Sequence, residues 1–225
     1  MRNFYLGGYY HCYNRGTDKR KIFLTEKDRL RFSVLLYVCN SDVPIHISNF
    51  EGSSLLDLFD LPRGKPIVAV GAWTLMPNHF HLLLKEIKEG GISLFMQKVT
   101  TGYTMYFNKK SGRSGTLLEA TFRAETIAKD NYLKYIFSYI HLNCIKLIDS
   151  AWKEIGLKDF KKSERFLNNY VWSSYLDYRE VKSPQGKILS KNVFPGYFAN
   201  ITDLDLEIKD WLTFSRKANN AHGKV

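Results

Sequence analysis

Two apolar runs separated by only two residues constrain the fold more than any other feature of this sequence. Residues 66–76 and residues 79–87 are each rich in β-forming apolar side chains, and Pro77-Asn78 stands between them. A turn pair between two such runs predicts a tight β-hairpin. The run over residues 66–77 is interrupted by Gly71 and Thr74 and is too short to cross a bilayer.

The segments on either side of the hairpin predict further strands and helices. A Tyr-rich strand is expected over residues 8–14, ending at Asn14-Arg15-Gly16, and Thr25 is placed to cap the next helix. The other expected elements are helices over residues 26–39, 92–109 and 131–145, the last capped by Asp130, and a strand over residues 121–127. The order β-α-β-β-α-β plus a helix predicts the α+β class: a ferredoxin-like antiparallel sheet with helices on one face and an extra C-terminal helix.

The composition along the chain predicts one main domain and an appendage. Residues 1–157 would form the domain, with an inserted loop at about residues 40–65, where Pro, Gly, Ser and Asp are frequent. Residues 158–225 are polar and Lys-rich, and we expect a basic C-terminal appendage with a last helix over residues 203–214.

The charge balance favours a polyanionic partner. Lys and Arg number 33 against 22 Asp and Glu, a formal net charge of +11. Aromatic residues at 15% add stacking surfaces, which suit nucleic acid better than a lipid surface. The three scattered cysteines and the lack of an N-terminal apolar run predict a protein of the reducing cytoplasm, without a signal peptide or contact with a membrane.

The first candidate for chemistry is the pair His79 and His81. In a strand, alternate side chains share a face, so both imidazoles point the same way while Phe80 enters the opposite layer. Two neutral imidazoles side by side form half of a site for a divalent cation. On spacing alone, two ordinary strand histidines explain the pattern more simply.

The second candidate is Tyr139 with Asn143, four residues later on the last predicted helix. This spacing places the phenol and the carboxamide on one helix face, and the amide oxygen suits a hard cation. A phenol attacks poorly at neutral pH unless a base or a nearby metal withdraws its proton. The simpler alternative is a core tyrosine, and four other tyrosines compete for a nucleophilic role: Tyr103, Tyr106, Tyr132 and Tyr135.

Several motifs occur together in one order. They read MPNHFHLLLK, YTMYFNKKSGRSG, YIHLN and WSSY. In this order they resemble the HUH single-tyrosine transposases, specifically the REP-associated tyrosine transposase branch, over about residues 7–175. The chain departs from that family where Cys144-Ile145-Lys146 replaces the usual Pro-Val-Arg or Pro-Val-Lys. Without the proline, the helix is expected to continue past Asn143.

The resemblance implies a set of functional residues. His79, His81 and Asn143 would bind a divalent metal, Mg²⁺ or Mn²⁺, and Tyr139 on the extra helix would be the nucleophile. The implied activity is cleavage and joining of single-stranded DNA at hairpin ends, formed by imperfect palindromes, through a 5′-phosphotyrosine intermediate. Near this site, positive side chains are candidates for contacts with DNA: Arg15, Lys109, Lys110, Arg113 and Arg123. A homodimer is one of the two oligomeric states that the sequence allows, because one tyrosine cannot make two attacks at once.

Three other functions compete with this interpretation. One is a domesticated DNA-binding protein that does not cleave, although such a binder has no need to keep all four site residues. Another is a different HUH enzyme, a relaxase or a replication initiator, which often carries two tyrosines or a third histidine. A ferredoxin-like RNA-binding domain ranks last, because no RNP-type run is present in the strands.

Overall fold

The fold is given by a computed structural model of the chain. It describes residues 4–50 and 52–197, together with Asp203, Leu206 and Ile208. The predicted helix over residues 203–214 lies outside the described residues apart from these three positions.

The described residues form one four-stranded antiparallel sheet. Its strands are β1 (Tyr9–Arg15), β2 (Val68–Met76), β3 (His79–Glu86) and β4 (Arg123–Ile127), in the order β2-β3-β1-β4. β2 and β3 form the hairpin that Pro77-Asn78 predicts, with Met76 opposite His79. The predicted α+β class with an antiparallel sheet is confirmed.

Helices connect and follow the strands. They are α1 (Glu26–Val38), α2 (Gly91–Lys110), α3 (Asp130–Leu142), α4 (Trp152–Ile155), α5 (Phe160–Leu167) and α6 (Tyr175–Tyr178). Through α3 the described chain therefore runs β1-α1-β2-β3-α2-β4-α3. The segment expected to be an inserted loop contains two short 3₁₀ helices, Ile47–Phe50 and Asp57–Asp60.

Thr25 caps the start of α1, as the sequence predicts. Thr25 and Asp28 form a capping box, in which each side chain accepts a hydrogen bond from the backbone of the other. The fully buried Asp28 also accepts from Tyr106 and, at 2.5 Å, from the Lys110 ammonium. Asp28, in the first turn of α1, thus ties the start of that helix to the end of α2.

Each face of the sheet is covered by a different set of helices. Along β3, Phe80, Leu82 and Leu84 enter the core that α1 and α2 cover, whereas Leu83 enters a second core against α3. This alternation follows from the pleat of the strand, because successive side chains point to opposite faces. The helix that carries Tyr139 therefore lies on the sheet face opposite α1 and α2.

Both predicted ends of α3 need correction. Asp130 is the first helical residue rather than the cap, and Lys129 occupies the N-cap in an extended conformation. The Asp130 carboxylate instead accepts a hydrogen bond from the Tyr197 hydroxyl. The α-helix ends at Leu142, and residues Asn143–Leu147 continue as a 3₁₀ helix. The chain thus stays helical past Asn143, but in a tighter form than predicted.

The segment after residue 157 packs along β2. The Leu75 amide donates to the Trp172 carbonyl, the Ser174 amide donates to the Trp73 carbonyl, and each bond is 2.9 Å long. Ile188 lies in the core under α1 and α2, and Phe194 lies in the core under α3. The division between residues 1–157 and 158–225 stays a prediction.

Among the residues that the structure describes, no helix combines the length and the apolar character that a membrane crossing requires.

Candidate active site

His79 and His81 lie at the start of β3, directly after the hairpin turn. Their ring centroids are 5.1 Å apart with the ring planes nearly perpendicular, while Phe80 enters the opposite core. His81 is buried and His79 is half-buried. The two imidazoles share one face of the strand, in agreement with the alternation of the sequence.

Both imidazoles are neutral at neutral pH. Burial lowers the pKa of His79 to about 4, with further lowering by the charges of Lys146 and Arg15. Burial also lowers the pKa of His81 well below its ordinary value, and its histidine neighbours and Lys153 act in the same direction. A neutral imidazole keeps one nitrogen lone pair, which a metal or a hydrogen-bond donor can use.

Tyr139 projects from α3 onto the histidines. Its ring centroid is 5.7 Å from that of His81 and 5.6 Å from that of His11, edge to face in both cases. Burial raises the pKa of the Tyr139 phenol, and hydrogen bonding by Asn143 opposes this rise. The phenol and the carboxamide, one turn apart in sequence, therefore do meet in the folded chain.

The other candidate tyrosines have different positions. Tyr103 is buried among α1 and α2 and donates to the Ile22 carbonyl, and Tyr106 donates to Asp28. Tyr132 stacks on Tyr135, which in turn stacks on Tyr139, so these two extend a ladder along α3 away from the histidines.

Sequence reasoning missed Tyr13, whose ring lies 5.5 Å from that of His81. Its hydroxyl donates to Glu125 at 2.8 Å. Burial is the largest cause that raises the pKa of Tyr13, and the Glu125 carboxylate raises it further. A phenolate at Tyr13 would face a like charge at contact distance. The Tyr139 phenol is instead hydrogen-bonded by the neutral Asn143 side chain, and Glu125 acts on it only through its charge.

His11 was also missed, although it alternates with Tyr13 in the segment YYHCYNR. Its Nε2 lies 2.9 Å from Nδ1 of His81, and the bond is buried. The alternation could have revealed a shared face on β1, but only the pairing of β1 with β3 reveals the contact.

Two lysines complete the surroundings of Tyr139. The ammonium of Lys153 lies 3.5 Å from the centre of the Tyr139 ring, a cation–π contact. Burial lowers the pKa of Lys153 to about 7, and the neighbouring Lys146 lowers it further. Both lysines follow α3 in sequence without any spacing that marks them, so no sequence signal could have found them.

The structure divides the predicted DNA contacts into two groups. Arg15 lies opposite His79 in the strand register and pairs with Glu119 at 2.6 Å, and Arg123 lies opposite Tyr13.

Lys109 and Lys110 end α2, where Lys110 is held by Asp28. Arg113 lies just beyond and donates to the Asn108 side chain at 2.8 Å. The role of all five in binding DNA stays a prediction.

A groove of about 870 Å³ lies between α2 and residues 116–122. Its lining consists of Asn, Gln, Ser, Thr and apolar side chains, without a titratable group.

Among the described residues, no group of three or more His, Cys, Asp or Glu side chains is arranged to hold a metal ion. A metal at this site would need Asn143, which has 1% of its surface exposed, beside the two histidines.

Comparison with protein-family models finds no match for this chain. Comparison with curated proteins finds none either. Among solved structures, the chain is similar to a REP-associated tyrosine transposase bound to a REP hairpin, with 13% sequence identity and a TM-score of 0.49, over 82% of this chain and 88% of that chain. A likeness of this degree carries no argument about function.

Proposed function

We propose that this chain is a metal-dependent single-stranded DNA endonuclease and strand transferase, a REP-associated HUH transposase that acts at hairpin ends through a 5′-phosphotyrosine. The observation that carries the proposal is the meeting of Tyr139 with His81 at 5.7 Å between ring centroids. These residues come from different elements, and neither local spacing nor core packing requires a phenol beside two neutral imidazoles.

The donor set suits a divalent cation. His79 and His81 offer neutral imidazole nitrogens, and Asn143 offers an amide oxygen beside the phenol. Nitrogen ligands make Mn²⁺ the easier fit, because Mg²⁺ prefers a shell of oxygens. When bound, such an ion supplies charge neutralisation at a phosphodiester oxygen.

The chain's own residues account for the covalent step. The Tyr139 hydroxyl oxygen forms a bond to phosphorus while the bond from phosphorus to the 3′-oxygen breaks, which leaves a 5′-phosphotyrosine. The phenol loses its proton and the departing 3′-oxygen gains one, so the step is balanced. Since one phosphate ester replaces another, the reverse attack joins strands without ATP.

The charges around the site suit a DNA substrate. Arg15 flanks His79 and Arg123 flanks Tyr13, and the chain carries a net charge of +11. Lys109, Lys110 and Arg113 would extend this surface along the end of α2. Two cleavages would require either the tyrosine of a second subunit or release of the same tyrosine from the first strand before it attacks again.

The test is covalent capture of a labelled single-stranded hairpin oligonucleotide. Tyr139→Phe should abolish the protein–DNA adduct while leaving binding of the oligonucleotide intact, because only the attacking oxygen is removed. Tyr135→Phe is the matched control, since Tyr135 lies one turn earlier on α3 and stacks on Tyr139 at 6.0 Å. Tyr135→Phe should form the adduct as the wild type does. Chelation of divalent metal should prevent the adduct in the wild type and in Tyr135→Phe.

An adduct that survives in Tyr139→Phe would move the nucleophile to another residue. A wild-type chain that binds the hairpin but forms no adduct with Mn²⁺ present would instead indicate the non-cleaving DNA-binding protein.

A further inference from the structure

The hydrogen-bond partner of His79 determines which of its nitrogens carries the proton. Asn78 donates through Nδ2 to the Lys19 carbonyl at 3.2 Å, which fixes the orientation of its amide. Its Oδ1 therefore faces Nδ1 of His79, at 2.7 Å. A carbonyl oxygen only accepts, so Nδ1 of His79 must be the protonated nitrogen and Nε2 keeps the lone pair.

In the hydrogen bond between His11 and His81 either ring could be the donor, and the charge of Glu125 favours one of the two arrangements. Glu125 lies opposite His11 across β1 and β4, and its Oε2 is 3.9 Å from Nδ1 of His11, so it acts on this nitrogen through its charge and not through a hydrogen bond. The Tyr13 hydroxyl anchors the other carboxylate oxygen at 2.8 Å. A carboxylate on this side favours a proton on Nδ1 of His11, because the charge attracts the polar N–H.

With that proton on Nδ1, the Nε2 of His11 is a lone-pair acceptor. Nδ1 of His81, 2.9 Å away, must then be the donor, and Nε2 of His81 keeps its lone pair. The facing nitrogens of His11 and His81 are satisfied by each other. His11 is thereby a neighbour of the cation site and not a third ligand of it.

We propose that Asn78 and His11 are positioning residues, which hold His79 and His81 as Nδ1–H tautomers and leave both Nε2 atoms free for the cation. This inference rests on the proposed function for its metal, but not for the tautomers. Outer partners of this kind orient metal-binding histidines and typically change metal affinity by about 10- to 100-fold. Here they come from the hairpin turn and β1, so the ligand pair is set within the sheet, independently of α3.

The tautomers are measured by long-range ¹H–¹⁵N correlation on the full-length, ¹⁵N-labelled protein without metal. In the wild type, both His79 and His81 should show the Nδ1–H pattern. Asn78→Ala should release the tautomer of His79 alone, and His11→Leu should release that of His81 alone. Asn78→Asp loses the bond to the Lys19 carbonyl but keeps an acceptor toward Nδ1 of His79, and His11→Gln keeps an acceptor toward Nδ1 of His81. Both variants should preserve the wild-type patterns.

His141 serves as the internal reference, because it is buried against Ser174 and contacts neither partner. A general loss of structure would move His141 as well, whereas the proposed roles predict that each variant changes one histidine only. The wild-type spectrum tests the tautomers even if a variant fails to fold.

Mn²⁺ binding by the free protein, followed through the electron paramagnetic resonance signal of unbound Mn²⁺, gives the second readout. His11→Leu should weaken binding by about 10- to 100-fold and His11→Gln by much less. An Nε2–H pattern at wild-type His81, or unchanged tautomers and Mn²⁺ binding in His11→Leu, would overturn the inference. Correct tautomers and Mn²⁺ binding in a protein that forms no DNA adduct would refute the proposed function and leave this inference standing.

Discussion

Tyr139 is subject to opposing influences from its neighbours. Burial raises the pKa of its phenol, which makes the hydroxyl a weaker nucleophile at neutral pH. Asn143 opposes the rise by hydrogen bonding, and the Lys153 ammonium lies 3.5 Å from the ring centre. In the proposed reaction, a cation over the ring would favour the phenolate that forms as the oxygen attacks. Lys153 should therefore contribute to the rate.

Lys153→Met should slow adduct formation by about 10-fold, which corresponds to about 1.4 kcal/mol, because the cation over the ring is lost. Since burial lowers the pKa of Lys153 to about 7, the ammonium is present below that pH and lost above it. The difference between wild type and variant should accordingly shrink as pH rises through 7. Single-turnover rates of adduct formation between pH 6 and 9 measure both effects.

The control for this prediction is Lys161→Met, which removes an exposed lysine of α5. It lowers the net charge by the same amount without changing the contact with Tyr139. Equal rates for Lys153→Met and Lys161→Met at pH 6 would contradict a role for the cation over the ring.

At the scale of elements, β2 carries an irregularity that joins the C-terminal segment to the sheet. The register between β2 and β3 shifts between Val70 and Ala72, so Gly71 is the extra residue of a bulge. The Tyr178 hydroxyl donates to the Gly71 carbonyl at 2.6 Å. A Cβ at position 71 would lie 2.6 Å from the ring of Phe194, which leaves room only for glycine.

Gly71→Ala should lower the free energy of unfolding by about 1–3 kcal/mol, because the added methyl group forces Phe194 out of its place. Equilibrium unfolding in urea measures the loss. Combining Gly71→Ala with Phe194→Leu should cost less than the sum of the two single changes, because the smaller side chain removes the clash. Strictly additive losses would show that Phe194 and Gly71 do not interact.

Four of the described histidines are buried or half-buried, and burial lowers the pKa of each: His11, His79, His81 and His141. The clearest case away from the candidate site is His141, wholly buried between α3 and the segment after residue 157, where its Nε2 lies 2.8 Å from the Ser174 hydroxyl. Burial lowers the pKa of His141 to about 3, with a smaller contribution from Lys191. In the unfolded chain the same imidazole has an ordinary pKa of about 6.5.

Between pH 6.5 and pH 3 the unfolded chain therefore binds a proton at His141 that the folded chain does not. By linkage, the free energy of unfolding should fall on acidification across this window, by up to about 1.4 kcal/mol per pH unit for one such group. His141→Gln removes the titrating group and should flatten the decline. Urea unfolding of both proteins between pH 4 and 7 measures it, and parallel declines would contradict the assignment.

Several features followed from the sequence because they depend on local spacing. Alternation along a strand placed His79 and His81 on one face, and a four-residue step placed Tyr139 and Asn143 together. The hairpin at Pro77-Asn78 and the cap at Thr25 are local in the same sense. The cap at Asp130 was wrong, since Asp130 bonds to Tyr197, far along the chain.

The tertiary structure alone decided which of these local pairs meet and what surrounds them. Pairing of β1 with β3 brings His11 to His81 across 70 positions of sequence, and the approach of α4 sets Lys153 over Tyr139. In neither contact are the two partners linked by a regular spacing in the sequence, so the sequence alone could not predict them. The physical reason is that backbone geometry determines the relation of near neighbours, whereas contacts between elements depend on the order of strands and on how helices pack across the sheet.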